Sequence, residues 1–280
     1  MKLTVLVDNN TLIDRYFYGE PGVSYFIQDE GKKILFDVGY SDAFIKNAQK
    51  MMNIRLLEVD FLVLSHGHLD HTWGLVPLIK LYTEAIIEKI DHKKPTLVAH
   101  PLTFLTKTLN GLGEIGSIIS KEKLSKHFEL KLSENPVWLT EKLVFLGEIE
   151  RKNDFEAQRP IGKIVKENLE EDDYSMDDSA LAYKSPGGLV IITGCSHAGI
   201  CNIVEYAKRI CEDDRIVDIV GGFHLLDPPT EQLQGTLEYM KELQPTEVHA
   251  CHCTDLNSKI ALSRVANLKE VGVGLTLEYK

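Results

Sequence analysis

Residues 61–75, FLVLSHGHLDHTWGL, decide how this chain is read. The opening run Phe61 to Leu64 is short, apolar and flanked by polar residues, which predicts a buried strand. His66, His68, Asp70 and His71 follow within six residues. Extended geometry past the strand end sends His66, His68 and Asp70 to one side. A turn into a helix then brings His71 round beside them. Imidazole and carboxylate are ligands that zinc, iron and manganese share. Three histidines and an aspartate exceed what one tetrahedral ion with an open position requires. The pattern therefore predicts two divalent metal ions, zinc first with manganese or iron as alternatives, each completed from elsewhere in the chain.

Working outward, the elements alternate. Leu3 to Val7 reads as a strand, and Val23 to Gln28 with Lys33 to Asp37 as a hairpin. Ser41 and Asp42 can cap a helix through Met52, with Ala43, Ile45, Ala48 and Met51 on its apolar stripe. After the histidine segment a helix through Leu75 to Ile86 leads to a strand at Thr96 to Ala99. From Pro101 to about Asp178 the rhythm loosens. Strand candidates lie at Phe128 to Leu132 and Lys142 to Phe145, and the charged stretch Lys163 to Asp173 reads as a solvated face. Residues 101–178 are expected to form an inserted α+β subdomain or lid in a main domain made of 1–100 and 179–280. Regular units then return: a hairpin of Ala180 to Lys184 and Leu189 to Thr193, a helix Ile200 to Cys211 and a strand Ile216 to Val220. A helix Glu231 to Leu243, a strand Glu247 to Cys251, a helix Ser258 to Val271 and a last strand Gly274 to Glu278 complete the chain. The class is α/β. His66, His197, His224 and His252 each sit just past an apolar run, where α/β sheets gather their sites.

Composition narrows the function. A chain of 280 residues with 44% hydrophobic content can bury a large core. Its net charge of −11 argues against binding nucleic acid backbones. A small-molecule substrate, even a phosphorylated one, remains compatible, because bound metal ions would supply local positive charge. No apolar run approaches the roughly 20 residues of a membrane span, and the start MKLTVLVD reads as a first strand rather than a signal peptide. Five cysteines, an odd number, fit reduced thiols in a cytoplasmic protein better than a disulfide framework.

The H-x-H-x-D-H pattern after a buried strand, followed by Thr72 and Gly74, resembles the signature of the metallo-β-lactamase superfamily. LFDVG (35–39) resembles the strand before that signature. LVIITGCSHAG (189–199), GGFHL (221–225) and HCT (252–254), with LGEIER (146–151) and Phe155-Glu156, resemble a subgroup typified by archaeal 7,8-dihydropterin-6-methyl-4-(β-D-ribofuranosyl)aminobenzene-5′-phosphate synthases. The resemblance implies a four-layer αββα sandwich with the metals at one edge between the sheets. It implies His66 and His68 on the first metal, Asp70 and His71 on the second, and His252 as the late histidine closing the second set. His197 is the choice to complete the first. Cys195 stands where the superfamily often places a bridging aspartate, which leaves the bridging ligand open, with Asp178 as a second candidate.

The other polar residues divide by position. Strand alternation separates His249, Cys251 and Cys253 from His252, so His249 is not expected at the metals, and both thiols read as structural. His224, after Gly221 and Gly222, is expected in the site as ligand, substrate contact or proton donor. His100, before Pro101, is open to a site or a structural role. His92 and His127 read as solvated. Asp37 reads as a carboxylate that orients a ligand histidine. Asp8, Asn9 and Asn10 face the pocket or form a polar turn. Arg151, Arg159 and Lys163 are candidate phosphate contacts.

Two close divalent ions lower the pKa of water toward about 7 and polarise a carbonyl or phosphoryl oxygen. With Asp70 accepting a proton, hydrolysis of an ester or phosphodiester is expected. The subgroup resemblance implies an alternative, a synthase-type transfer that displaces pyrophosphate from a dihydropterin. An alternative of another class is a non-catalytic metal-binding protein, which would require the open coordination position to be blocked.

Overall fold

The computed structural model describes residues 1–50, 54–167 and 169–280. Its first large sheet has the strand order Thr276–Glu278, Lys2–Val7, Ser24–Asp29, Lys32–Phe36, Phe61–Val63, Thr96–Ala99, Glu129–Leu132. The second runs Glu247–Cys251, Ile216–Gly222, Gly188–Thr193, Ala180–Ser185, Leu143–Phe145, Val137–Trp138. Within each sheet one group of strands is parallel: from Lys32–Phe36 to Glu129–Leu132 in the first, and from Gly188–Thr193 to Glu247–Cys251 in the second. Parallel strands covered on both faces appear as continuous apolar runs rather than alternating ones, as LVII at 189–192 does.

Side-chain alternation along these strands makes three cores. Val98, Val190 and Ile192 pack between the sheets with Tyr25, Phe36 and Phe145. Their neighbours Leu97 and Ala99 turn the other way, onto Phe44 and the helix Leu75–Ile87. Leu189 and Ile191 turn onto the helix Ile200–Cys211. The result is the four-layer αββα sandwich expected for this α/β chain. The helix Ile200–Cys211 has no side-chain cap at Gly199. Glu156, from a distant segment, accepts the N–H groups of Cys201 and Asn202 at 3.0 and 3.1 Å and serves instead.

Two expectations change. The helix expected at Ser258 to Val271 is Leu256–Leu262. Beyond it Leu268 bridges to Val248, and Lys269 donates its N–H to the Val248 carbonyl. Covering that sheet edge takes precedence over helical spacing. The segment 101–178 is divided: Glu129–Leu132 extends the first sheet, and Val137–Trp138 with Leu143–Phe145 extends the second. A separate sheet holds only Leu169–Asp173, Gly162–Lys166, Lys107–Leu109 and Gly113–Glu114. The strand pattern of short segments carries no information on which sheet they join. The first helix is described over Ala43–Lys50, and the expected continuation through Met51 and Met52 lies outside the described residues. No helix among the described residues is long and apolar enough to cross a membrane.

Candidate metal centre

The carboxyl ends of Phe61–Val63, Gly188–Thr193, Ile216–Gly222 and Glu247–Cys251 deliver His66, His197, His224 and His252 to one edge of the sandwich. His68 Nδ1 lies 3.1 Å from His197 Nε2. The His66 ring sits 4.7 Å from those of His68 and His197, and 4.3 Å from that of His71. His252 Nε2 lies 3.2 Å from Asp70 Oδ2. The structure thus brings His66, His68, Asp70, His71, His197 and His252 together, with the His224 ring tilted against that of His197 at 4.3 Å.

Cys195 is at the middle. Its Sγ lies 3.2 Å from both His71 Nε2 and His252 Nε2. Two groups of potential ligand atoms share it: Asp70, His71, Cys195 and His252, and His66, Cys195 and His197, each within 4.8 Å. Asp178, the other residue considered for bridging, belongs to neither. One of its oxygens accepts the Ala198 N–H at 2.8 Å and the other is 3.9 Å from His66 Nδ1.

Partners behind the cluster set the ring orientations. Asp37 Oδ2 lies 2.7 Å from His71 Nδ1 and also accepts from Ser65 Oγ at 2.6 Å. Ser65 Oγ in turn lies 2.9 Å from His66 Nδ1. One carboxylate therefore orients two imidazoles, as sequence suggested for Asp37. Asp8 accepts the His252 backbone N–H at 2.9 Å, and Asn9 Oδ1 lies 2.9 Å from His252 Nδ1. Of the three residues after the first strand, Asp8 and Asn9 serve the site, while the Asn10 carbonyl accepts from Val273.

Lys107 and Asp177 were missed by sequence reasoning. Asp177 Oδ2 accepts the Gly67 N–H at 2.8 Å, and its Oδ1 pairs with Lys107 Nζ at 2.7 Å. Lys107 also bonds Asp173 at 2.9 Å, and is completely buried. A Cβ on Gly67 would lie 2.3 Å from the Thr103 carbonyl, so only glycine lets the histidine loop rest there. The adjacent acids Asp177-Asp178 before a buried strand were the available signal; nothing local distinguishes Lys107.

Electrostatics divide the cluster. Burial, with the positive charge of neighbouring groups, holds His66 and His197 well below the ordinary imidazole range, and brings His68 down to about 4. These rings are neutral at pH 7, the form that ligates metal. Burial opposes charge on His71 also, but Asp70 and Asp37 outweigh it and lift the ring to about 9. Asp70 is likewise desolvated, yet His71 and His252 hold it below the usual carboxylate range. This half of the cluster is built around charge, the other half around neutral donors. His66 Nε2 and His68 Nε2, both buried without a hydrogen-bond partner among the described residues, fit a cation. Unpaired buried nitrogens cost about 1–3 kcal/mol each, and an ion accepting their lone pairs removes that cost.

The remaining candidates fall as follows. His249 bonds Asp218 at 2.9 Å, away from the cluster, as alternation predicted. Cys251 meets the Tyr25 hydroxyl at 3.3 Å. Cys253, read as structural, instead lies at the site: His252 takes φ +47°, the alternation ends, and Cys253 Sγ accepts the His224 N–H at 3.3 Å. His100 caps a short turn and lies 3.3 Å from Glu148. His92 and His127 are exposed. Arg151 bonds the Ser175 carbonyl, and Lys163 is exposed and pairs with Asp172. Arg159 lines a cleft of about 290 Å³ together with Phe155, Gln158, Tyr174, His197 and His224.

Comparison with known proteins matches residues 18–208 to the family model of the metallo-β-lactamase superfamily. A 7,8-dihydropterin-6-methyl-4-(β-D-ribofuranosyl)-aminobenzene-5′-phosphate synthase of Methanocaldococcus jannaschii is 30% identical over 278 residues, covering 92% of this chain and 89% of that protein. An uncharacterized protein of the same organism is 31% identical over 274 residues, covering 97% and 98%. The crystal structure of Tm1679, described as a metal-dependent hydrolase of the β-lactamase superfamily, superposes with a TM-score of 0.83 at 27% identity, covering 100% of this chain and 99% of that one.

Proposed function

The chain belongs to the metallo-β-lactamase superfamily, and from that premise we propose that its histidine cluster holds two divalent metal ions, zinc first, and hydrolyses an ester or phosphodiester of a small molecule. The observation that carries this reading is His66 Nε2, fully buried, without a hydrogen-bond partner among the described residues, and packed among His68, His71 and His197. His66, His68 and His197 would hold one ion, and Asp70, His71 and His252 the other. Such ions, when bound, supply Lewis acidity that activates water near pH 7 and stabilises charge on the attacked group.

The side chains do the rest. Asp70 Oδ2 faces His71 and His252 and is ionised, so it can accept a hydrogen bond from the attacking water and orient it. His224 borders the cleft. Burial works against its charge, but Cys253 and Asp178 raise its pKa above the ordinary value, so its ring can carry a proton to a leaving oxygen. Arg159, exposed in the lining of the same cleft, supplies positive charge for an anionic substituent.

A second reading, a synthase-type transfer that displaces pyrophosphate, is favoured by the 30% identity to the Methanocaldococcus jannaschii synthase. The two are separated by incubating zinc-loaded protein with a bis-aryl phosphodiester, and separately with a dihydropterin diphosphate plus an aryl ribofuranoside phosphate. Aryl phosphate from the first supports hydrolysis. Pyrophosphate that appears only when the acceptor is present, without phosphodiester turnover, replaces it with the transfer reading.

A further inference from the structure

We infer that Cys195 is the bridging ligand of the centre, a thiolate shared by both metal ions in place of a carboxylate. This rests on the two-metal reading above. The thiol is 5% exposed, and its Sγ is the one potential ligand atom common to both groups in the cluster. It stands 3.2 Å from Nε2 of His71 and of His252, while the unpartnered His66 Nε2 belongs to the other side.

The backbone is built to place that sulfur. A Cβ on Gly194 would meet Ser65 Oγ at 2.3 Å and Asp37 Oδ2 at 3.0 Å. The bare glycine lets the turn lie directly on the pair that orients His66 and His71. Ser196 follows at φ +62°, a conformation that costs about 1–3 kcal/mol unless its surroundings impose it. Its Oγ bonds the Gly222 carbonyl at 2.6 Å and lies 2.9 Å from Thr193 Oγ1, which imposes it. Cys253 Sγ also donates to the Cys195 carbonyl at 3.3 Å. The turn is thus held from three directions, and what it presents to the histidines is one sulfur.

A bridging thiolate has a chemical consequence. Soft sulfur selects zinc or iron over magnesium and manganese, which prefer oxygen. The centre should therefore discriminate against manganese, and a carboxylate in the same place should relax that discrimination.

The test is zinc content followed by zinc X-ray absorption on the full-length protein. Zinc–sulfur scattering at about 2.3 Å is resolved from nitrogen and oxygen near 2.0–2.1 Å. Two zinc ions per chain with one sulfur per zinc is the expected result. Cys195→Asp should keep two metals, lose the whole sulfur shell and bind manganese more readily. Cys253→Ser should leave one sulfur per zinc. Half a sulfur per zinc in the wild type, or after Cys253→Ser, overturns bridging in favour of terminal ligation. Two zinc ions with no sulfur overturn it while leaving the metal centre intact, and failure to bind zinc overturns both readings. If Cys195→Asp does not fold by circular dichroism, the sulfur count of the wild type and of Cys253→Ser still decides.

Discussion

Asp37 Oδ2 lies 2.7 Å from His71 Nδ1, across 34 residues of sequence, and this bond determines which nitrogen of the ring faces Cys195. With Nδ1 bonded to the carboxylate, Nε2 is the nitrogen left to face the cluster. The same carboxylate accepts from Ser65, which stands beside His66. Asp37 accordingly governs both halves of the centre without belonging to either ligand group.

Asp37→Ala should lower zinc affinity about 10–100-fold, the usual effect of removing a carboxylate behind a ligand histidine. Competition against a chromophoric chelator measures it. Unchanged affinity would mean that the His71 ring is held by other contacts.

His68→Ala and His252→Ala should each reduce bound zinc by about one ion per chain and abolish turnover. His249→Ala should leave zinc content unaltered, because His249 is held by Asp218 rather than by the cluster. Elemental analysis of the three purified variants compares them directly. Equal metal loss from His249→Ala would show that the ligand assignment is wrong.

Lys107→Met should destabilise the metal-free protein by about 3–5 kcal/mol, since it leaves Asp173 and Asp177 buried without their cation. Chemical denaturation reads the change. A loss under 1 kcal/mol would mean that Asp177 is neutral or water-bridged in the variant.

Acid should narrow that gap. Burial pushes the Asp177 carboxyl up, but Lys107 prevails and holds it below the ordinary range. A depressed folded-state pKa gives stability that is present above the unfolded value, about 4, and lost as pH falls through the lower folded value. Without Lys107 the main influence that lowers this pKa is gone and burial weighs more, so protonation of Asp177 should relieve the variant. Melting temperatures of wild type and Lys107→Met should therefore converge below about pH 4. A gap that widens in acid would reverse the sign and refute the assigned ion pair.

Much of the histidine cluster was legible in one dimension. His66, His197, His224 and His252 each follow an apolar run, and a strand's carboxyl end is a local property that hydrophobic pattern reports. That His249 stays away from the cluster was expected from period-two alternation, although the alternation itself ends at His252. The helix Ile200–Cys211 and the strand Glu247–Cys251 match the sequence-based boundaries for the same reason.

Tertiary structure decided what local pattern does not encode. Lys107 meets Asp177 across 70 residues, and Asp8 meets the His252 backbone across 244. Glu129–Leu132 and Leu143–Phe145 separate into different sheets although both read simply as short strands. Cys253 turns into the site because His252 adopts a positive φ. By itself, the sequence determined the α/β layers and the histidines that end their strands, since hydrophobic period and side-chain type act over a few residues. Which buried lysine steadies the histidine loop, and that one sulfur stands between the two groups of ligands, was decided only when the two sheets packed. Those contacts join residues whose order along the chain carries no trace of their distance in space.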